Sequence, residues 1–163
     1  NDLLEEFHRV DKYIEKYDQR IKHIHQANPV SKQLATIPGV GEIIATAVIA
    51  TAGDPKVFKN GRQFAAWLGL VPRQHTTGGK DRLLGISKRG DTYLRKQLIH
   101  GARSVMLRVC MHGDKRSLWA NKLKERRGMN RATVALANKN ARVIWAILTK
   151  ETRFYEQYDR KAA

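Results

Sequence analysis

The sequence is poor in cysteine, in acidic residues and in long apolar runs. Cys110 is the single cysteine, which excludes an internal disulfide and favours a reducing compartment. No apolar run approaches the length that crosses a bilayer, and no signal peptide is recognisable. We therefore expect a cytoplasmic protein without a membrane partner.

The shortage of acidic residues leaves a strongly basic chain. Lys and Arg number 31 against 15 Asp and Glu, which gives a net charge of +16. The excess begins after residue 30, because residues 1–30 hold six acids and five bases. A balance this one-sided predicts a polyanionic partner for the rest of the chain, most simply nucleic acid.

Residues 1–29 are predicted to form a coiled-coil arm. Apolar side chains recur there in steps of four and three, at Leu3, Phe7, Val10, Ile14, Tyr17, Ile21 and Ile24. A period of 3.5 residues is typical of a coiled coil and predicts a homo-oligomer. The alternative is an amphipathic helix that packs on its own domain. Asn28-Pro29 is expected to end the helix.

The remaining pattern is helical, so the predicted fold class is all-α. A compact domain is expected over residues 30–152, followed by a polar tail over 153–163. Asn60, Asp91 and Asn130 each precede an apolar helical pattern and are predicted N-caps. No alternating strand pattern competes with this interpretation.

Residues 34–54 have the pattern of a helix-hairpin-helix. A short helix is expected to end near Ile37, and Gly39 and Gly41 would allow the tight turn before the second helix. The free N–H groups at a helix start can hold a DNA phosphate without reading sequence. The alternative is a plain helical corner, and Glu42 would repel a phosphate there.

Residues 71–91, "VPRQHTTGGKDRLLGISKRGD", are predicted to form a long, exposed, basic loop, because they combine glycines and cations with little apolar content. The loop is not a Walker phosphate loop, since Gln74 and Asp81 stand where a glycine and a hydroxyl residue are required. The His and Cys pairs elsewhere lack further ligands at usable spacing, so no metal site is predicted.

Three motifs together resemble one family. They are "IPGVG", "FAAWLGLVPRQHTTGGKDRLLGISKRGDTYLRKQLIHGAR" and "ALANKNARVIWAIL". Over residues 31–150 the chain resembles the C-terminal half of bacterial insertion-sequence transposases of the pilin-inverting recombinase type, now known as bridge-RNA-guided recombinases. The heptad helix resembles the coiled-coil segment that joins the two halves in that family.

The resemblance implies partners and a missing part. Full-length members carry an N-terminal RuvC-like domain whose four acidic residues bind magnesium, and we expect that domain to be missing from this chain. No cofactor is therefore expected on this chain itself. The implied partners are DNA, a guide (bridge) RNA and further copies of the protein, in the bacterial cytoplasm at the nucleoid.

The resemblance also implies a nucleophile. In the family motif a serine stands immediately before the first glycine of the loop, and here that residue is Thr77. Threonine keeps a hydroxyl that can attack phosphorus, although its methyl group restricts χ1. Thr76 is the alternative if the register slips by one, and His75 is a candidate to assist proton transfer. Ordinary turn chemistry is the competing explanation for both threonines.

Nucleic-acid contacts are predicted at the glycines, bases and serine of the turn and loop: Gly39, Gly41, Arg73, Gly78, Gly79, Lys80, Arg82, Ser87, Lys88, Arg89 and Arg95. A second basic cluster, on the penultimate helix, is either a phosphate track or a solvated helix face. The predicted function is DNA transposition by strand exchange, with this chain inactive unless joined to the metal-binding domain. The alternative is a non-enzymatic nucleic-acid-binding module.

Overall fold

A computed structural model describes residues 2–77 and 79–150. These residues form seven α-helices, two short 3₁₀ turns and one two-stranded antiparallel sheet. The helices are α1 (Asp2–Ala27), α2 (Pro29–Leu34), α3 (Glu42–Ala52), α4 (Gly61–Trp67), α5 (Thr92–Arg108), α6 (Lys115–Arg127) and α7 (Met129–Lys150), and the strands are β1 (Pro72–Thr77) and β2 (Lys80–Ile86). The predicted polar tail and Gly78 lie outside the described residues.

The predicted N-terminal helix is confirmed, and its apolar seam is exposed. None of the described residues of α1 is buried. Leu3 is 89% exposed and Tyr17 56%, so most of the seam does not pack on its own domain. Only the C-terminal end of α1, around Ile21 and His25, is half-buried, where the helix meets α2 and α3.

Helix α2 begins directly after α1, with only Asn28 between the two helices. Asn28 caps α2 by accepting a hydrogen bond from the Ser31 backbone N at 3.0 Å, and Pro29 occupies the first turn, where a missing N–H is harmless. His25 Nδ1 lies 2.7 Å from the Ser31 hydroxyl. These contacts fix the point at which α1 leaves the body. Helix α2 ends at Leu34, three residues earlier than predicted.

The core lies among α4, α5, α6 and α7, with α3 closing one side. Side chains four residues apart on α5 are fully buried, as the helical period predicts: Leu94, Leu98, Ala102 and Met106. They share one hydrophobic cluster with Phe64 of α4 and Ile144 of α7. This body carries the segments that are candidates for function.

The expectation of an all-α fold is wrong at one place. The predicted loop contains a β-hairpin, here called the ribbon, made of β1 and β2. Thr77 pairs with Lys80 across a two-residue connection, which is the loop length most typical of hairpins. Every residue of β1 is exposed, so the strand has no buried face to produce an apolar alternation. That absence explains why the pattern was missed.

Two of the three predicted caps are confirmed. The Asn60 side chain accepts from the Gln63 backbone N at 3.0 Å, and Asp91 accepts from Leu94 N at 2.6 Å. The third is wrong, because α7 begins at Met129 directly after Gly128, and Asn130 lies inside its first turn. Asn130 Oδ1 instead accepts a hydrogen bond from the Arg103 guanidinium at 3.0 Å.

Candidate nucleic-acid interface

The pairing register separates the ribbon into two chemically different faces. His75 lies opposite Arg82, and Thr77 lies opposite Lys80. Because paired residues and residues two apart share one side of a sheet, these four lie together, and we call them the cationic face. All four side chains are exposed. Arg73, two residues before His75, is also exposed, and it lies where the register shifts between Pro72 and Gln74.

The opposite face carries Thr76. Thr76 pairs with Asp81, and Gln74, two residues earlier on the same side of the ribbon, pairs with Leu83. The Gln74 side-chain amide donates to Thr76 Oγ1 at 3.2 Å. Thr76 and Thr77 therefore present their hydroxyls to opposite sides. Of the two candidate nucleophiles, only Thr77 shares a side with His75, Lys80 and Arg82.

The tip of the ribbon needs a glycine for its backbone rather than for space. Gly79 has φ +75°, a conformation that L-residues rarely adopt. A Cβ added there would meet nothing within 4 Å, so the tip is open. Gly78 cannot be compared, since it lies outside the described residues.

The base of the ribbon is tightly packed. Ser87 N donates to the Val71 carbonyl at 2.8 Å, and Lys88 N donates to the Gly69 carbonyl at 3.2 Å. Gly90 has φ +102°, and a Cβ there would overlap the backbone carbonyl of Trp67. The tip of the ribbon therefore has free space around it, whereas its base is closely packed.

The predicted contact between Arg95 and nucleic acid does not agree with the burial of this side chain. Arg95 is only 9% exposed. Its guanidinium donates to the Leu68 carbonyl at 3.3 Å and to Thr92 Oγ1 at 3.2 Å. A buried charge must be satisfied by such bonds, so Arg95 serves the base of the ribbon and not the surface. A cation on a helix gives no sequence signal that distinguishes these two roles.

The "SKRGD" segment divides between surface and support. Lys88 and Arg89 are exposed, as their predicted role requires, and Lys88 adopts φ 57°, which is uncommon for a residue with a side chain. Ser87 is half-buried, and its hydroxyl is buried without a hydrogen-bond partner in the described part of the chain. Its contribution to the ribbon is the backbone bond to Val71.

The Pro38–Gly41 turn packs against α5 and is hydrogen-bonded to α7. Gly39 has φ +85°, and a Cβ there would come within 2.6 Å of the Gly101 carbonyl oxygen on α5. The Asn140 side chain, fully buried on α7, donates to the Pro38 carbonyl at 3.0 Å. Gly39 is therefore required by packing. Gly41, by contrast, is exposed at the N-cap of α3, with nothing near it.

The second basic cluster is mostly exposed on α6 and its flanks, at Lys115, Lys122, Arg126, Arg127 and Arg131. Arg116 differs, since it is 6% exposed and its guanidinium donates to Asn140 Oδ1. The surface of α6 can thus follow a phosphate backbone, while Arg116 joins the network that supports the Pro38–Gly41 turn.

Asp114, which sequence analysis did not identify, caps α6. Its carboxylate accepts from the backbone N of Arg116 and of Ser117, each at 3.0 Å. Burial raises the pKa of Asp114, but the hydrogen bonds from the Ser117 side chain and from both backbone N–H groups outweigh that effect and lower it from the ordinary value of 3.8.

The described residues offer no site for a metal ion. No group of three His, Cys, Asp or Glu side chains within 2–77 and 79–150 could hold one. Asp54 and Asp91 are both engaged as caps. No described helix is both long and apolar enough to span a membrane.

A basic ribbon raised from a helical body is typical of a protein that binds a polyanion. Comparison with known proteins identifies the family. Residues 31–117 match the profile of the Transposase IS116/IS110/IS902 family. Because this match covers more than half of the chain, the protein belongs to that family.

Full-length relatives support the assignment. The chain is 50% identical over 151 residues to a "Probable family 20 transposase" of Pseudomonas aeruginosa, covering 93% of this chain and 45% of the relative. It is 49% identical over 154 residues to the "Transposase for insertion sequence element IS1111A" of Coxiella burnetii, covering 94% and 42%. The chain thus spans less than half the length of these relatives.

Proposed function

We propose that this chain supplies the nucleophile for DNA strand exchange in an insertion-sequence transposase. One observation supports the proposal above the others: the Thr77 hydroxyl shares an exposed face with His75, Lys80 and Arg82. Such a face can bring a phosphodiester to a hydroxyl and neutralise its non-bridging oxygens. Family membership and the transposase names of the relatives support DNA as the proposed substrate.

The proposed step is a transesterification. The Thr77 hydroxyl gives up its proton, a bond forms between Oγ1 and phosphorus, and one bond from phosphorus to a deoxyribose oxygen breaks. The departing oxygen takes up a proton and leaves as a hydroxyl. Attack by a second DNA hydroxyl on the Thr77 ester reverses these events and joins a new strand. His75 lies on the correct face to accept the first proton.

The centre is proposed to be composite. Magnesium would be held by acidic residues of an RuvC-like domain, and the two parts would come from different subunits. The metal would stabilise the charge that develops on the phosphate. The role of this chain is then to hold the strand on the cationic face and to present the Thr77 hydroxyl.

Further contacts to nucleic acid are proposed outside the ribbon. The exposed amides at Gly41, in a helix-hairpin-helix, would hold a phosphate without reading sequence. The exposed cations of α6 would follow a second stretch of backbone, in DNA or in a guide RNA. Both contacts rest on charge and exposure, and the bacterial cytoplasm, where DNA is present, is the proposed location.

The arm α1 is proposed to pair subunits as a coiled coil. Its seam is exposed along most of its length, including Ile14 and Tyr17, each more than half exposed. Replacing both by Asp should reduce the mass measured by light scattering. Asp at the solvated positions Lys12 and Lys16 is the matched control. An unchanged mass in the Ile14 and Tyr17 variant rejects the coiled coil.

The nucleophile is tested in the full-length protein. Thr77→Ala should abolish strand exchange and leave DNA affinity within about twofold, because the alanine keeps every cation of the face. Thr77→Ser should stay active, and Thr76→Ala, on the opposite face, should retain most activity. A mass spectrum of the protein trapped on nicked DNA should place the adduct on residue 77. Full activity of Thr77→Ala removes this residue from the mechanism.

A non-enzymatic nucleic-acid-binding module is the second candidate, and the basic α6 surface supports it equally. The 163-residue chain alone should bind DNA with a strong dependence on salt and should not cut it. Magnesium-dependent cutting by this chain alone contradicts the composite centre. A pure binder needs the cations but not the hydroxyl, so the Thr77 variants decide between the two functions.

A further inference from the structure

We infer that Arg95 and Asn138 are positioning residues that fix the direction in which the ribbon leaves the helical body. The inference rests on the proposed function, because the direction of the ribbon decides where the Thr77 hydroxyl lies. It also replaces the predicted role of Arg95 as a contact to nucleic acid.

The ribbon cannot fix its own direction. All six residues of β1 are exposed, and Leu83 on β2 is 69% exposed. A two-stranded hairpin without a covered face is marginally stable in water. Its orientation must therefore come from the two segments that join it to the body, residues 68–71 before β1 and residues 87–90 after β2, which are hydrogen-bonded to each other.

Successive carbonyl groups of residues 68–71 are bound alternately by the helical body and by the chain that returns after β2. Arg95 of α5 donates to the Leu68 carbonyl at 3.3 Å, and Asn138 of α7 donates to the Leu70 carbonyl at 3.1 Å. Between and beyond them, Lys88 N donates to Gly69 and Ser87 N donates to Val71, at 3.2 Å and 2.8 Å.

This alternation makes residues 68–71 a clamp. The Leu68 and Leu70 carbonyls are bound by two different helices, α5 and α7, and the Gly69 and Val71 carbonyls are bound by the chain that returns after β2. Two attachment points define a direction, whereas one would leave the segment free to pivot.

The clamp differs in kind from a phosphate contact. Arg95 is 9% exposed, and its other bonds go to Thr92 Oγ1 and to the Asp91 carbonyl, both at the start of α5. Its guanidinium thus spans from the N-terminus of α5 to Leu68. Asn138 is half-buried and uncharged. Neither side chain offers an exposed charge to a nucleic acid.

The expected consequence is a loss of rate rather than of affinity. The cations of the cationic face remain when a clamp residue is removed, so DNA still binds. Transesterification, however, needs the hydroxyl in line with the bond that breaks, and a misplacement of about 1 Å can lower a rate on the order of 10²-fold. The full-length Asn138→Ala protein should lose strand exchange by roughly that factor at near-normal DNA affinity.

The first test uses salt to separate the two roles of a cation in this 163-residue chain. Removing a phosphate contact lowers the slope of log affinity against log salt by about one unit. Arg82→Met, on the cationic face, should show this loss. Arg95→Met should keep the wild-type slope. A loss of about one unit in Arg95→Met would make Arg95 a phosphate contact and overturn the inference.

The second test measures the direction of the ribbon. Spin labels at Leu83→Cys on the ribbon and Lys122→Cys on α6, in a Cys110→Ser background, report one distance. The distribution should be narrow in the parent protein and broad in Arg95→Met and in Asn138→Ala. Lys96→Met, which removes a neighbouring exposed cation from α5, should leave it narrow.

The outcomes separate this inference from the proposed function. If Arg95→Met does not fold, Asn138→Ala still decides, because it removes one half-buried side chain. An unchanged distance distribution in folded Asn138→Ala overturns the clamp. If Thr77→Ala remains active, Thr77 is not the nucleophile and the proposed function is wrong. The distance and salt measurements still test the role of Arg95 and Asn138 independently.

Discussion

Two glycine turns that look alike in the sequence differ in the structure. In the Pro38–Gly41 turn, Gly39 is pressed against Gly101 of α5, and no side chain could fit between them. At the ribbon tip, Gly79 has a similar positive φ but nothing within 4 Å of where a Cβ would be. The first glycine is demanded by packing and the second only by the backbone.

The two turns differ in how firmly the rest of the protein holds them. A turn supported by two helices can hold a phosphate in one place, whereas an open tip can approach a strand from several directions. The tip therefore depends on its base for placement, and the base contains the same kind of close glycine contact, at Gly90, that the Pro38–Gly41 turn uses.

The largest effect is expected where the glycine is enclosed. Gly39→Ala should lower the free energy of unfolding by about 2–5 kcal/mol, because it combines a strained backbone with overpacking against Gly101. Urea denaturation followed by circular dichroism measures this. Gly41→Ala, which has open space around it and φ −90°, is the matched control and should change stability by less than about 1 kcal/mol. Equal losses of unfolding free energy in Gly39→Ala and Gly41→Ala would show that packing does not require a glycine at position 39.

An intermediate effect is expected where hydrogen bonds rather than packing hold a helix end. Asp114→Ala should cost about 1 kcal/mol at pH 7, because α6 loses its cap. The folded-state pKa of Asp114 is lowered, so its contribution is complete above the ordinary value of 3.8 and is lost as the pH falls through the folded value.

The control for that experiment keeps the cap and removes the titration. Asp114→Ser should resemble the parent protein at pH 7, and its stability should fall less between pH 5 and pH 2. Urea midpoints at both ends of that range measure the difference. A parallel fall in the two proteins would show that other carboxylates account for it.

The smallest effect on stability is expected at the open tip. Gly79→Ala strains only the backbone, so the cost is about 1 kcal/mol and is confined to the ribbon. The urea midpoint of the helical body should hardly move, while amide exchange in β1 and β2 should become faster. A large shift of the midpoint would mean that the tip is coupled to the core.

Local signals predicted the helices better than they predicted the ribbon. Asn60 and Asp91 were identified as caps because a cap and its helix are adjacent in sequence. The ribbon was missed because its first strand has no buried side, although the Thr-Thr-Gly-Gly-Lys string contains a two-residue hairpin signal that the cation-rich composition obscured.

The site was predicted in part, and tertiary contacts explain the rest. The exposure of Thr77 and of the surrounding cations could be expected from composition. The roles of Arg95, Asn138 and Asn140 could not, because each binds a backbone carbonyl 27 or more residues away. Asn130 was misassigned because a helix can begin directly after a glycine without a side-chain cap.

The ribbon has two outer strand edges that its own hairpin leaves unpaired within the described chain. Exposed edges of this kind tend to recruit strands from other molecules, and like charges on the strands oppose such recruitment. The exposed cations Arg73, Lys80 and Arg82 would oppose such pairing between copies of the protein. A bound polyanion would neutralise these charges and so weaken the repulsion between the ribbons of neighbouring copies.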